Sequence, residues 1–314
     1  MLHHYLDDFI GGSSTFVKSH EQARRFEDLL SVLGWRNNVK KAEGPAQRVK
    51  ILGVLVDTKN MQALVTPERL VEIDVLIDSF STRDSCTVKE IKSLLGKLFF
   101  VSKCVVASRA FTRRMVHLIR GSHRGSVRVA LGSAFHADLR WWRTFLHEFN
   151  GVSLLSLSSL ALAESVHFHI FTDASDAAAG ASFGSHWFVY EWTPAESARS
   201  TCWKEIRALV LAVSTFGGSL SGKRVALWCT CDNQPMVDAV SSMRSSSDLV
   251  MSQVREFYLL CALHRCLIRV KHIKGEDNRA ADFLSRLNLK AFLKAVPSAD
   301  GSPTPVRLPK QHSF

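Results

Sequence analysis

Short apolar runs broken by turn residues mark the first 64 residues as mostly strand. The stretch "HHYLDDFIGG" reads as a hairpin whose turn carries Asp7 and Asp8. A polar helical segment follows from His20 to Leu33 and stops at Gly34. "VKILGVLVD" (Val49 to Asp57) is β-branched enough to read as one strand, and "TKNMQALV" turns it back into another. The period then changes. Thr66 and Pro67 suit an N-cap and a first helical position, and Leu70, Ile73, Ile77 and Phe80 fall at helical spacing. A second helix starts near Thr87, with Val88, Ile91, Leu95, Leu98 and Phe99 on one face. Helical, basic material continues to "ADLRWWRTFLHEFNG", ended by Gly151, and "VSLLSLSSLALAES" reads as a linker or a covering strand.

From Ser165 strands and helices alternate. "VHFHIFTDAS" is a buried strand, and "AAAGASFG" and "HWFVYEW" form a hairpin across Gly184-Ser185. The helix "SARSTCWKEIRALVLAVSTF", the strand "KRVALWCTCDN" and the Ser/Asp-capped helix "SSSDLVMSQVREFYLLCALH" come next. "CLIRVKHI" is the last strand, followed by Gly275 and a short helix. From Ala295 on, Pro, Ser and Gly predict a disordered tail.

Charge changes this picture. The formal charge is +11, and residues 86–147 hold twelve Lys/Arg against Glu90 and Asp138, a local +10. The surplus suits a polyanionic partner such as nucleic acid through counterion release and also fits a membrane surface, and the plainer reading of the basic segment is a well-solvated helical surface. No apolar run reaches the roughly 20 residues of a membrane span, and nothing resembles a secretion signal. The seven cysteines lack the paired spacings of structural zinc sites, so reduced thiols and an intracellular location, cytoplasm or nucleus, are expected.

Four acids stand where a fold would ordinarily avoid them. Asp173 ends an apolar strand and Asp232 ends another; the helix between them implies a right-handed crossover and parallel pairing. Both aspartates then lie at strand carboxyl ends, the edge where open α/β sheets place their sites. Glu205 sits on the intervening helix, flanking the face packed on the sheet. Asp282 opens the last helix one turn after Asn278, a candidate cap. Singly, each acid reads as a cap or a surface charge; in this order they are expected to converge within a few ångströms of one point. Clustered carboxylates raise one another's pKa, and divalent cations relieve this, Mg²⁺ with its preference for oxygen ligands or alternatively Mn²⁺. Two such ions about 4 Å apart can drive phosphodiester hydrolysis. His272, on a Gly-bearing loop, would assist at product release.

The blocks "FTDAS", "WKEIRAL", "CDNQPMV" and "VKHIKGEDNRAADFLSR" resemble the RNase H domain of retroelement reverse transcriptases, the last through its G-x-x-N-x-x-A-D-x-L-S-R pattern. The Asp232-Asn233 pair and the Trp141-Trp142…Asn150-Gly151 block look more like DIRS-type than gypsy-type elements. Beside these, "YLDD" (Tyr5, Asp7, Asp8) resembles the Y-x-D-D turn of the same enzymes' palm. "LGVLVD" resembles the primer-grip hairpin, and Lys41 falls where a lysine would lie near the incoming nucleotide.

The resemblance implies an α/β protein. Residues 1–64 would be a C-terminal palm fragment, 65–150 a basic helical thumb and connection, and 151–164 a linker. Residues 165–290 would be an RNase H-like mixed five-stranded sheet with flanking helices, and 291–314 a disordered tail. It implies hydrolysis of the RNA strand of RNA–DNA hybrids, with Asp173, Glu205, Asp232 and Asp282 as metal ligands and no small-molecule cofactor beyond the metal. Asp7 and Asp8 would hold metal at a polymerase site that also needs a carboxylate from an earlier strand, so that site is expected to be incomplete in this chain. The rival readings are a non-catalytic nucleic-acid-binding remnant and a fragment of a full RNA-directed DNA polymerase. Several residues read more plainly: His167 and His169 as core or edge histidines, Trp141 and Trp142 as helix packing, Cys229 and Cys231 as small core fillers, and His3-His4 as a bare pair.

Overall fold

The computed structural model describes residues 2–35, 38, 42–105, 108–122, 124–147, 150–153, 169–220, 226–264 and 266–309. Lys41, His167 and Cys229, and residues 154–164 of the expected linker, lie outside the described residues and side chains.

The chain begins with a hairpin of β1 (Leu2–Tyr5) and β2 (Asp8–Gly11), paired from Leu2 with Gly11 to Tyr5 with Asp8. Asp7 occupies the turn beside Leu6 (φ +52°), while Asp8 is already the first residue of β2. Helix α1 (Phe16–Val32) starts before His20, because the Thr15 hydroxyl accepts the Lys18 amide at 3.3 Å. Val49 to Asp57 is not one strand. Leu52 (φ +48°) and Gly53 (φ +78°) form a tight turn that splits it into β3 (Arg48–Ile51) and β4 (Val54–Asp57). A Cβ on Gly53 would also sit 3.2 Å from the Phe100 ring. β5 (Gln62–Val65) pairs next to β4.

Helix α2 (Pro67–Ser81) has Pro67 in its first turn and buries Ile73, Ile77 and Phe80. β6 (Ser85–Thr87) leads into α3 (Val88–Val101), whose Thr87–Glu90 capping box is complete. The apolar face of α3 holds Leu94, whereas Phe99 is 43% exposed and lies off that face. The basic stretch is not continuous helix. A 3₁₀ turn (Ser108–Phe111) and α4 (Arg113–Leu118) precede β7 (Arg128–Ala130), which pairs with β6, and only then comes α5 (Ser133–Phe145). β8 (Val152–Ser153) adds to β5 and completes a four-stranded sheet in the order β3-β4-β5-β8, so the expected linker begins as a covering strand. Trp141 and Trp142 are fully buried, with Trp141 stacked on Phe111 at 4.1 Å.

The second half contains β9 (His169–Ala174), β10 (Ala178–Phe183), β11 (His186–Glu191), the short α6 (Pro194–Ser197) and the long α7 (Thr201–Leu220). β12 (Ala226–Cys231), α8 (Gln234–Ser242), α9 (Asp248–Leu263) and β13 (Leu267–His272) follow. α10 (Arg279–Ser285) and α11 (Leu289–Ala295) end the regular structure. The sheet order is β11-β10-β9-β12-β13, with β9 to β11 antiparallel and β12 parallel to both β9 and β13. The fold class is α/β, and this is the mixed five-stranded sheet with flanking helices that the resemblance implied. α8 was not expected; it is short, and its start is fixed by the Asn233 side chain accepting the Met236 amide at 2.9 Å. His272 closes β13 rather than standing on a loop.

The tail also differs from expectation through residue 309. α11 extends to Ala295, and beyond it the Asp300 amide donates to the Ser185 carbonyl (2.9 Å) and the Thr304 amide to that of Trp187 (2.7 Å). The Trp187 Nε1–H donates to the Asp300 carbonyl at 2.7 Å, and the Arg307 amide to Thr215 Oγ1 at 3.2 Å. These backbone bonds, invisible to composition, tie the segment along β11 and onto α7. One apolar core runs from the helices α2–α5 through α9 and α7 to the large sheet. Each of its large buried side chains contributes roughly 1.5–3 kcal/mol. Among the described residues no helix is long and apolar enough to cross a membrane.

Candidate functional site

Asp173 lies near the end of β9 and is buried, at 7% exposure, accepting a short hydrogen bond from the Ser285 hydroxyl. Its partner across the ladder is Gly180 of β10. A Cβ there would meet Leu284 Cβ at 2.5 Å, the Ser285 amide nitrogen at 2.6 Å and the Ala281 carbonyl oxygen at 2.8 Å. Only glycine lets α10 press this closely on the sheet, and that approach carries Asp282 and Ser285 to Asp173. Asn278 completes the anchoring. It is buried and its Nδ2 donates to the Thr172 carbonyl at 2.9 Å. Its side chain does not cap α10; its main-chain carbonyl instead accepts the Asp282 amide.

Asp232 follows β12 immediately and is exposed; Glu205 projects from the buried face of α7 at 3% exposure. With Cys231 they form a group whose ligand atoms all lie within 4.8 Å of one another. The Cys231 thiol donates to Glu205 Oε2 at 3.4 Å. The loop of Gly275 closes over this point, since a Cβ on Gly275 would stand 3.1 Å from Asp232 Oδ2. Asp282, half-buried, pairs with Arg286 (Oδ1–Nε 2.6 Å). His272 is exposed at the rim and donates from Nε2 to the Asp232 carbonyl at 3.1 Å, which assigns the proton to that nitrogen.

Electrostatics tie the four carboxylates together. Burial pushes Asp173 up to about 6; the Ser285 hydroxyl opposes this, and the charges of Asp232 and Asp282 add to it. Burial, and then the charges of Asp173 and Asp232, push Glu205 up to about 9, with the Cys231 hydrogen bond acting the other way. Arg286 is held protonated by its bond to Asp282 and feels Asp173 and Asp232 as well. The cluster therefore retains a proton at neutral pH unless positive charge is brought in. Its donor set fits a hard divalent cation: carboxylate oxygens from two strand ends and two helices, with one thiol at the edge.

The sequence placed these four acids but missed their neighbours. Ser285 and Arg286 belong to the quoted pattern without an assigned role. Cys231 is buried as a core filler should be, yet its sulfur faces Glu205. Gly180 could have been suspected as an isolated glycine within a strand.

The polymerase-like residues are arranged differently. Tyr5 is 58% exposed, Asp7 and Asp8 are exposed, and all three belong to a hairpin that among the described residues pairs with no further strand. Among the described residues no third His, Cys, Asp or Glu joins Asp7 and Asp8 in a three-donor group.

No protein-family model matches the sequence, and no curated protein matches it. Among solved structures the chain is similar to the foamy viral protease–reverse transcriptase in complex with RNA/DNA hybrid, at 15% identity and a TM-score of 0.43, covering 86% of this chain and 35% of that one. It is similar to the same viral protein in complex with dsDNA, at 14% identity and a TM-score of 0.41, covering 87% and 54%. RNase H1 from the halophilic archaeon Halobacterium salinarum NRC-1 gives 16% identity and a TM-score of 0.32, covering 40% of this chain and 99% of that one. The chain spans about half or less of the foamy viral chains' length.

Proposed function

We propose that this chain is a retroelement reverse-transcriptase segment whose large sheet carries a ribonuclease for the RNA strand of RNA–DNA hybrids. The observation that carries the reading is the close approach of Glu205 and Asp232 at the carboxyl end of β12, with Asp173 of β9 near enough to feel both Asp232 and Asp282. The residues that would hold divalent cations are these four, with Mg²⁺ or Mn²⁺ favoured by the oxygen donors. When bound, such ions supply Lewis-acid chemistry for phosphodiester hydrolysis. Ser285 keeps Asp173 oriented, Arg286 balances Asp282, and His272 stands at the rim, where it can move a proton at product release. The cations of residues 86–147 would hold the duplex by its phosphates. The DIRS-type assignment rests on residues 141–151 and 232–233 alone. Polymerisation is not assigned to this chain, because Asp7 and Asp8 have no third donor among the described residues.

The test is cleavage of an end-labelled RNA–DNA hybrid by purified protein across a Mg²⁺ titration, with Asp173→Asn alongside. Cutting that needs Mg²⁺ and disappears in the variant, while hybrid binding persists, is the expected result. A second reading, hybrid binding without cleavage, draws on the Arg286–Asp282 pair, which already neutralises one of the carboxylates. Binding that survives removal of Mg²⁺, with no cutting at any Mg²⁺ concentration, would replace the first reading by the second.

A further inference from the structure

We propose that Asp138 of α5 and Arg255 of α9 form a latch that fixes the register between the basic helices and the large sheet, and so sets where along a bound hybrid the cut falls. The consequence for cutting rests on the nuclease reading above; the latch itself does not.

The two residues meet beside the 3₁₀ turn, which packs against both α5 and α9 and bridges them. Asp138 is 1% exposed, and its Oδ1 accepts from Arg114 Nη1 at 3.1 Å, a guanidinium also bound to the Ala134 carbonyl. Arg255 Nε stands 3.9 Å from the same Oδ1, its side chain 11% exposed. Among the described residues Asp138 Oδ2 and Arg255 Nε have no hydrogen-bond partner, and neither do Trp141 Nε1 and Gln253 Oε1, on the same two helices.

A buried charge pair this loosely made is a poor source of stability. Desolvating both ions costs several kcal/mol, and the attraction offsets that only with good geometry and satisfied atoms. Its clearest physical effect is selection among registers. One helical turn along α9 from Arg255 lie Met251 and Leu259; one turn along α5 from Asp138 lie Ala134 and Trp142. A slide of about 5.4 Å in either direction would face the carboxylate with an apolar side chain and strand both charges. Apolar contacts are non-directional and discriminate weakly between registers; the charge pair discriminates strongly. Asp138 and Arg255 are therefore positioning residues, remote from the reacting atoms.

Two variants test this. Asp138→Asn removes the charge and leaves Arg255 without its partner. Asp138→Leu combined with Arg255→Met keeps an apolar seam and guards against simple unfolding. On a long hybrid reaching both the basic helices and the carboxylates, both variants should move or broaden the dominant cut site. On a hybrid too short to reach the helices, their rates should stay within about two-fold of wild type. A merely structural defect would lower both rates together and leave the cut position alone; that outcome, or an unchanged cut pattern in both variants, overturns the latch. Should the wild type not cut at all, the nuclease reading falls and hydrogen exchange decides the latch. Asp138→Asn should raise exchange of α5 and α9 amides by about ten-fold or more while β9–β11 are unaffected, and unchanged exchange overturns it.

Discussion

Two pairs of aspartates stand in this chain under opposite conditions. Asp7 and Asp8 lie on a hairpin that among the described residues pairs with no other strand, beside Tyr5 and Leu6, each more than half exposed. Asp173 and Asp232 lie at the ends of neighbouring central strands, the first packed under α7 and α10, and acids from those two helices come near them. The residue type is the same, and the sequence motifs are about equally short. What differs is the support: among the described residues Gly180, Asn278 and Ser285 have no counterparts around the hairpin. An acid pair becomes a site only when packing holds further donors against it.

The comparison breaks most visibly in activity. Asp232→Asn should reduce hybrid cleavage by at least about a hundredfold, beyond what loss of a ligand's supporting partner costs, whereas Asp7→Asn should leave it within about two-fold. Equal losses from the two substitutions would mean that the hairpin, not the large sheet, serves the reaction. Stability should divide the same way. Phe188→Ala, in the buried face of β11, should cost about 3–5 kcal/mol by urea denaturation, against less than about 0.5 kcal/mol for Leu6→Ser in the exposed turn. A comparable cost at Leu6 would show that the hairpin is packed in solution.

The smallest effect concerns pH and a third acid. Burial, against the pull of Arg114 and Arg255, raises Asp138 to about 6 from its ordinary 3.8. A raised folded-state value means that the folded protein holds the proton more tightly. That contribution to stability is complete below about pH 4 and is lost as the pH rises through about 6. The stability of wild type relative to Asp138→Asn should therefore fall by about 2–3 kcal/mol over that interval. A difference that does not vary with pH would place the carboxylate in water.

Local chemistry made much of this legible. The helical period starting near Thr87, Thr66-Pro67, and Gly184-Ser185 between two β-rich runs each specify an element within a few residues, and the structure has each one. The candidate acids could be read because charges at the ends of apolar runs are costly and so conspicuous. What escaped reading depends on contacts distant in sequence. The break at Leu52-Gly53 needs a leucine with positive φ, which sequence alone does not favour. The three-residue strands β6 and β7 exist only because they find each other across 40 residues of chain (87 to 128). Cys231 looks like filler until Glu205 is folded against it, and the Ser- and Pro-bearing tail looks disordered until the β10–β11 hairpin offers it carbonyls.

That tail has a consequence for the order of events at the ribosome. β11 is an outer strand of the large sheet, and the segment from Asp300 to Arg307 covers it and then reaches α7. During synthesis the rest of the sheet emerges first, so for a time the nascent chain presents β11 without its cover, a template for pairing with neighbouring chains. Chaperone capture, or crowding between chains on one message, would act in that interval, before Arg307 clears the exit tunnel.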